Sequence, residues 1–423
     1  MRKISAVVSL FALLSATPAL AQAAEKPEHP SPNAIVDAAP ASDWVKIDSS
    51  DLLVMDLAPG SEGNARRVII QLMPEPFSQG WIRNIRKLAA AHWWDGTSIN
   101  RVQDNYVVQW GDAGYDNPES GETEQKALPE GLETVPESEY VVDGDTLSEF
   151  TETRQFHDFD QKDAQLEKLM DRSADPKLNE QQLSEIIEAM TKIVDSFGFD
   201  KPTEYEQISL ISIESTQTDL TSQGWHERDG YANWVEFWKG WPLANFIRST
   251  WQNEDSEPIP RPTNTQRHIL SQQNISEQIE QNDFWPIHCY GAVGVGRNYS
   301  PDTGSGAELY TVIGHAPRHL DRNIAVVGRV IEGSEHLSSL PRGKGQLGFY
   351  EDASKRVPIT SIRLASALPA ADQQRFEYLS TESETFAKYT NARANRRDPF
   401  FIKPAGGADI CNIPVPVRRV KGE

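Results

Sequence analysis

The sequence predicts a mainly β fold with a few helices. Three observations predict it. Short runs rich in aliphatic and aromatic residues recur at Leu52–Leu57, Arg67–Leu72, Tyr106–Val108, Ala307–Ile313, Ile324–Ile331 and Ile359–Leu364. Residues of this kind at this density favour packed strands. Clusters of Gly, Pro, Asn and Ser separate the runs. The first such cluster, Pro59-Gly60-Ser61-Glu62-Gly63-Asn64, makes Leu52–Leu57 and Arg67–Leu72 an antiparallel hairpin. Against this background Phe77, Trp81, Ile85 and Leu88 recur at helical spacing, which gives a helix with one apolar face.

Composition bounds the function classes. With 62 acidic and 41 basic residues among 423, the formal net charge is −21. Such a field repels phosphates, so nucleic acid and anionic membrane surfaces are not expected partners. The length suits one large domain or two ordinary ones.

The N-terminus reads as a targeting segment. Arg2 and Lys3 precede the apolar run Ile4–Leu14, and small-x-small sites follow at Ala19-Leu20-Ala21 and Ala21-Gln22-Ala23. This is the pattern of a secretory signal peptide over residues 1–23. Its apolar run is too short to span a bilayer, and no later run of about 18 apolar residues follows, so no membrane insertion is expected. Export would place the protein in the periplasm or outside the cell. Residues 24–50, rich in Pro, Ala and Ser, read as a mobile lead-in. Cys289 and Cys411 are the two cysteines. In an oxidising compartment they either pair or stay as two buried thiols. A bridge would close a loop worth about 4–5 kcal/mol in the chain-entropy model.

The stretch 93–112, WWDGTSINRVQDNYVVQWGD, reads as a turn at Asp95-Gly96 followed by extended chain. It carries one cation, Arg101, and one amide, Gln109, among aromatic and β-branched residues. After Asp112 the chain turns polar. Residues 161–171 and 179–195 have helical spacing, and Trp225, Tyr231, Trp234, Phe237, Trp238 and Trp241 form an aromatic cluster. Residues 113–284 are read as a large insertion that folds at least in part as a small helical or irregular subdomain. The aromatic cluster either packs this insertion onto the rest or receives client chains. Further on, His288–Arg297 reads as a glycine-containing strand. Residues 369–395 read as a helix with Phe376, Leu379, Phe386 and Tyr389, before a Pro-rich tail.

Asp95-Gly96-Thr97, Arg101-Val102 and Gln109-Trp110-Gly111-Asp112, at this spacing, resemble the core signature of cyclophilin-type peptidyl-prolyl isomerases. There a D-G-T/S turn leads into F-H-R-V and ends in Q-G-G-D. Ile99 and Asn100 stand for the Phe-His, and Trp110 for the first Gly. Downstream, Leu320-Asp321 and Val326-Val327-Gly328-Arg329-Val330-Ile331-Glu332-Gly333 are similar to the family's L-D and V-F-G-x-V-x-E-G, while Ala307-Glu308-Leu309-Tyr310 replaces S-Q-F-F. The resemblance covers 51–112 and 287–366. It implies a closed antiparallel β-barrel capped by helices, spanning 51–366 around the insertion, with 367–423 as a C-terminal helical extension and tail.

The same resemblance implies a role for each site residue. Arg101 would donate to the proline nitrogen as the amide twists, and Gln109 would place the substrate backbone and the guanidinium. Tyr106, Val107, Tyr310 and Leu320 would line the proline pocket, with His319 at its rim. Arg297 stands where the family has asparagine and Glu308 where it has glutamine, so Glu308 would pair with Arg101 or Arg297. Ile324 replaces a histidine. Rotation about an X-Pro bond crosses a barrier of about 20 kcal/mol set by amide resonance, and lowering it requires neither metal nor cofactor, so none is expected. His315 and His319, four apart, are no metal pair, because Pro317 lies between them. The expected activity is peptidyl-prolyl cis-trans isomerisation on proline-containing unfolded or extended polypeptides, assisting the folding of exported proteins. The rival expectation is a barrel that keeps the peptide groove without useful catalysis and serves as an envelope chaperone or assembly factor.

Overall fold

A computed structural model describes residues 29–60, 62–114, 124–150, 229–252, 258–259 and 276–420. In chain order the strands are β1 (Trp44–Lys46), β2 (Leu52–Leu57), β3 (Arg66–Leu72), β4 (Ser98–Val102), β5 (Val107–Gly111), β6 (Val142–Asp143), β7 (Trp234–Trp238), β8 (Trp241–Gln252), β9 (Pro258–Ile259), β10 (Ser276–Pro286), β11 (Ala292–Val295), β12 (Leu309–Val312), β13 (Val326–Glu332), β14 (Val357–Leu364), β15 (Phe376–Leu379) and β16 (Val417–Arg419). Among the described residues the helices include α1 (Pro32–Asp37), α2 (Gln79–Ala90), α3 (Glu335–Ser338) and α4 (Glu384–Ala394), and residues 144–150 are also helical.

Eight strands close a barrel in the order β11-β12-β5-β4-β14-β2-β3-β13, with β13 pairing back to β11. All its pairings are antiparallel. Closure leaves no unpaired edge. Alternate residues fill the interior: Leu53 and Met55 from β2, Val68 and Ile70 from β3, Val108 and Trp110 from β5, Val293 and Val295 from β11. Helix α2 closes one end with Trp81, Ile85 and Leu88, all fully buried, as the helical spacing predicts.

From Leu52 to Met55, β2 is apolar on both faces for a reason outside the barrel. Leu52 and Val54 point outward and pack with Ile69, Ala365 and Phe376 under a second sheet. That sheet has the order β1-β15-β16 and joins the two ends of the chain. The stretch 24–50, expected to be mobile, thus supplies α1 and β1. The helix expected over 369–395 is instead strand β15 followed by the shorter α4, whose Ser383 hydroxyl caps it by accepting from Phe386 N–H at 3.1 Å. Strand β15 pairs on both sides, and these pairings override the helical spacing of Phe376 and Leu379. A disulfide joins Cys289 to Cys411, their Cα atoms 5.1 Å apart, and ties the tail to the barrel wall ahead of β11.

The described part of the insertion differs from the helical or irregular subdomain expected. It holds a sheet of order β6-β10-β8-β7, with β9 paired to β8, and residues 144–150 are helical. The expected helices at 161–171 and 179–195, Trp225 and the signal segment lie outside the described residues. β7 and β8 meet in a two-residue turn, Lys239-Gly240, where both residues have positive φ (46° and 83°). This turn geometry matches the twist of a hairpin, and Gly240 takes it without strain. The hairpin's Trp238 packs edge-on against Phe77, ring centroids 5.5 Å apart, and Trp241 is also buried. The aromatic cluster there is packing. Upstream, residues 124–150 strap α2. The Asn84 side chain donates to Glu133 O at 2.8 Å and accepts from Glu133 N–H at 2.7 Å, and Tyr140 stacks on Trp81 at 5.3 Å.

Candidate active site

Four neighbouring strands bring the site together. Arg101 on β4 faces Gln109 on β5, Gln109 faces Tyr310 on β12, and Tyr310 faces Gly294 on β11. Residues opposite one another share a face of the sheet, so this row lies on the barrel's outside. A register shift between Ile99 and Arg101 makes it possible. Such a bulge lets Ile99 and Val102 both enter the core while Arg101 points out. Asn100 fixes the bulge: its Oδ1 accepts from the Ser98 hydroxyl at 2.6 Å and its Nδ2 donates to Gly111 O at 3.2 Å.

The guanidinium of Arg101 is held on several sides. Nε donates to Leu347 O at 2.7 Å, one terminal nitrogen donates to Gln109 Oε1 at 3.2 Å, and the other to Gln103 Oε1. The rings of Tyr106 and Phe349 lie 5.7 and 5.5 Å from its central carbon. Burial raises the Tyr106 phenol above its ordinary pKa, and the nearby Arg101 charge only partly opposes this.

Beside the arginine, Val107, Ala292, Tyr310, Val312 and Val326 form a buried apolar cluster edged by Tyr106, Leu320 and Ile324. His319 stacks on Tyr106 with ring centroids 6.3 Å apart. Seven of the nine expected site residues therefore sit in or beside one patch: Arg101, Gln109, Tyr106, Val107, Tyr310, His319 and Leu320.

Two behave differently from expectation. Glu308 turns not to Arg101 or Arg297 but to the end of β5. Its Oε1 accepts from Asp112 N–H at 2.6 Å, and Gln109 also donates to it. Gly111 makes room, since a Cβ there would lie 2.1 Å from that oxygen. Burial drives the Glu308 carboxyl well above the usual carboxylate range, and these hydrogen bonds do not offset it. Arg297 donates to Asn323 O at 3.0 Å and Asn298 O at 2.6 Å, which fastens a loop.

Behind this cluster lies a buried polar chain that the sequence does not announce. The Tyr310 hydroxyl is 2.9 Å from His288 Nε2, and His288 Nδ1 is 2.9 Å from Asp321 Oδ1. Arg318 Nε donates to Asp321 Oδ2 at 2.6 Å, and its terminal nitrogens donate to both oxygens of Asp229, at 2.6 and 3.2 Å. Burial alone would raise the Asp321 carboxyl, but hydrogen bonds and charge from His288 and Arg318 reverse it and hold it below the ordinary range. An ionised Asp321 only accepts, so His288 Nδ1 carries the proton between them. The phenol has space because residue 294 is glycine: a Cβ there would lie 2.3 Å from its oxygen. Partners 22, 33 and 89 positions apart leave no motif. Only Leu320-Asp321 carried a signal.

Residues 222–364 match the family model described as cyclophilin type peptidyl-prolyl cis-trans isomerase/CLD. The chain carries a cyclophilin-type domain. The matched span holds Glu308, Tyr310, His319 and Leu320, and β5 and β4 bring Gln109 and Arg101 alongside them. Among solved structures, the chain is similar to a cyclophilin from Hirschia baltica, with 18% identity, a TM-score of 0.46, and coverage of 90% of this chain and 94% of that one. No curated protein matches it. The cyclophilin-type barrel and the patch on its outer wall thus coincide in one part of the molecule.

Proposed function

We propose that the protein is a peptidyl-prolyl cis-trans isomerase acting on proline-containing segments of exported polypeptides. The observation that carries this reading is the row Arg101–Gln109–Tyr310 beside the apolar cluster of Val107, Tyr310, Tyr106 and Leu320. In the twisted X-Pro amide the nitrogen becomes pyramidal and gains a lone pair. A guanidinium aimed at that atom binds the twisted form better than the planar one, and this difference lowers the barrier. Arg101 is held in place before substrate arrives, so little ordering remains to be done on binding. Gln109 orients the guanidinium. The ring of Tyr310, with Val107, Leu320 and Tyr106, receives the pyrrolidine.

The test is a proline-isomerisation assay on the mature protein and on Arg101→Ala. Loss of at least about tenfold in kcat/KM, or about 1.4 kcal/mol of transition-state stabilisation, is expected with the fold intact. Equal activity of the two proteins would remove Arg101 from the reaction. An inactive wild type that still slows aggregation of unfolded exported proteins would instead favour a peptide-binding chaperone, a reading that the departure at Glu308 supports.

A further inference from the structure

A cavity lies away from the Arg101 row, between the barrel wall and the C-terminal tail. Its volume is about 340 Å³, within the range of small-molecule sites. One wall is β13 with Trp241 of the insertion hairpin; the other is the tail, latched by the Cys289–Cys411 bridge. Ile331, Ile410, Ile413, Pro414 and Val415 give it an apolar body. In a chain of net charge −21, its lining among the described residues contains Arg329 and Arg393 and neither Asp nor Glu.

Arg329 is the unusual member. Its Nε and one terminal nitrogen donate to Gln71 Oε1 at 3.0 and 2.8 Å, and the other terminal nitrogen donates to Gly240 O at 2.7 Å. The guanidinium lies over the Trp241 ring at 4.5 Å. All these partners are neutral. Burial pulls its pKa down to about 10, which leaves it cationic at neutral pH. A partly buried charge held by neutral dipoles loses some of its hydration, and an anion beside it recovers part of that cost.

We propose that this cavity binds an amphiphilic monocarboxylate, a fatty-acid-like molecule whose carboxylate pairs with Arg329 and whose alkyl chain lies along Ile331, Ile413 and Val415. The geometry supplies one partly buried cation, apolar side chains beside it and, among the described residues, no carboxylate in the lining to repel the head group. Arg393, held against Asn412 O at 2.9 Å by its Nε, adds positive potential at the same cavity. This site is independent of the isomerase reading, because its occupancy is read by binding alone.

The test titrates the mature, disulfide-bonded protein calorimetrically with sodium decanoate below its micellar concentration. Decanol and decyltrimethylammonium serve as neutral and cationic probes. Saturable decanoate binding at one site is expected, at least tenfold tighter than either control. Arg329→Met should lose at least tenfold in decanoate affinity while decanol binding stays unchanged. If that variant does not fold, Val415→Trp, which narrows the cavity and leaves Arg329 in place, should abolish binding. Absence of decanoate binding, equal affinity for decanoate and decanol, or decanoate binding that survives in Val415→Trp would each overturn the proposal.

Discussion

Two substitutions at the site isolate the chemistry of single side chains. Glu308 is buried, and its carboxyl is pushed well above the usual range. A carboxyl whose folded pKa is raised stabilises the fold fully below the ordinary carboxylate value. That contribution is lost as pH rises through the folded value. Glu308→Gln keeps an acceptor for Asp112 N–H and removes the charge. The variant should melt higher than wild type at mildly alkaline pH and match it in acid, which thermal melts across that range would show; parallel profiles would mean that Glu308 does not titrate in this way. Asp321 acts in the opposite sense. Its carboxyl is held low, so its contribution is present above the ordinary carboxylate value and disappears as pH falls. Tyr310→Phe tests the phenol. Resemblance to the family makes phenylalanine look harmless here, but it would leave His288 Nε2 buried without its partner. An unsatisfied buried group costs about 1–3 kcal/mol, so the variant should unfold at lower urea concentration. A neutral or stabilising result would mean that the hydroxyl is not bonded as the structure shows.

At the scale of elements, the turn before Asp321 links the insertion to the pocket. His319 and Leu320 stand at the pocket edge, and Arg318, next to them, is clamped between Asp321 and Asp229. The side chains of Arg318 and Asp229 are only 2% and 3% exposed, so solvent screens this pair little. Burial would lower the Arg318 pKa, yet the two carboxylates more than reverse this. Removing one partner of a buried pair costs about 3–5 kcal/mol, and Asp321 should hold Asp229→Ala near the lower end of that range. Because the turn carries the pocket edge, KM for a short proline peptide should rise with kcat nearly unchanged; a fall in stability with no change in KM would reduce the clamp to scaffolding. This link was hidden in the sequence, whereas β2, β3 and α2 were legible from spacing and turn residues. Arg101 and Gln109 were legible because they stand within one local motif. The insertion sheet was not. Strands β8 and β10 pair at positions such as Gln252 with Ser276 and Leu243 with Pro286, and their runs are too polar to alternate cleanly. The terminal sheet was hidden for the same reason: Trp44 becomes a strand residue only by pairing with Leu379.

On the scale of the whole molecule, the question is how far the barrel depends on what surrounds it. The sequence suggests a self-sufficient barrel with an insertion at 113–284 that handles clients. The packing argues that part of this segment belongs to the barrel's own core. Tyr140 covers Trp81, Trp238 covers Phe77, and Glu133 satisfies the buried Asn84. Strand β10 runs through the expected boundary at 284, and Asp229 holds the pocket turn. Large aromatics truncated in a core typically cost about 3–5 kcal/mol each, and a domain has only about 5–15 kcal/mol to lose. Joining residue 112 directly to 285 should therefore give an unstable, aggregating protein. Replacing only residues 151–228 with a flexible Gly/Ser linker spares the strap, the hairpin and Asp229. That variant should fold cooperatively and keep kcat/KM on a short proline peptide within about twofold, well under the tenfold that marks a lost transition-state contact. Its affinity for unfolded exported proteins should fall if the excised segment receives them. Chemical denaturation and the peptide assay on both variants decide the matter. A stable, active protein lacking all of 113–284 would show the strap and hairpin to be dispensable. An inactive but folded 151–228 variant would show that the segment supplies part of the active site.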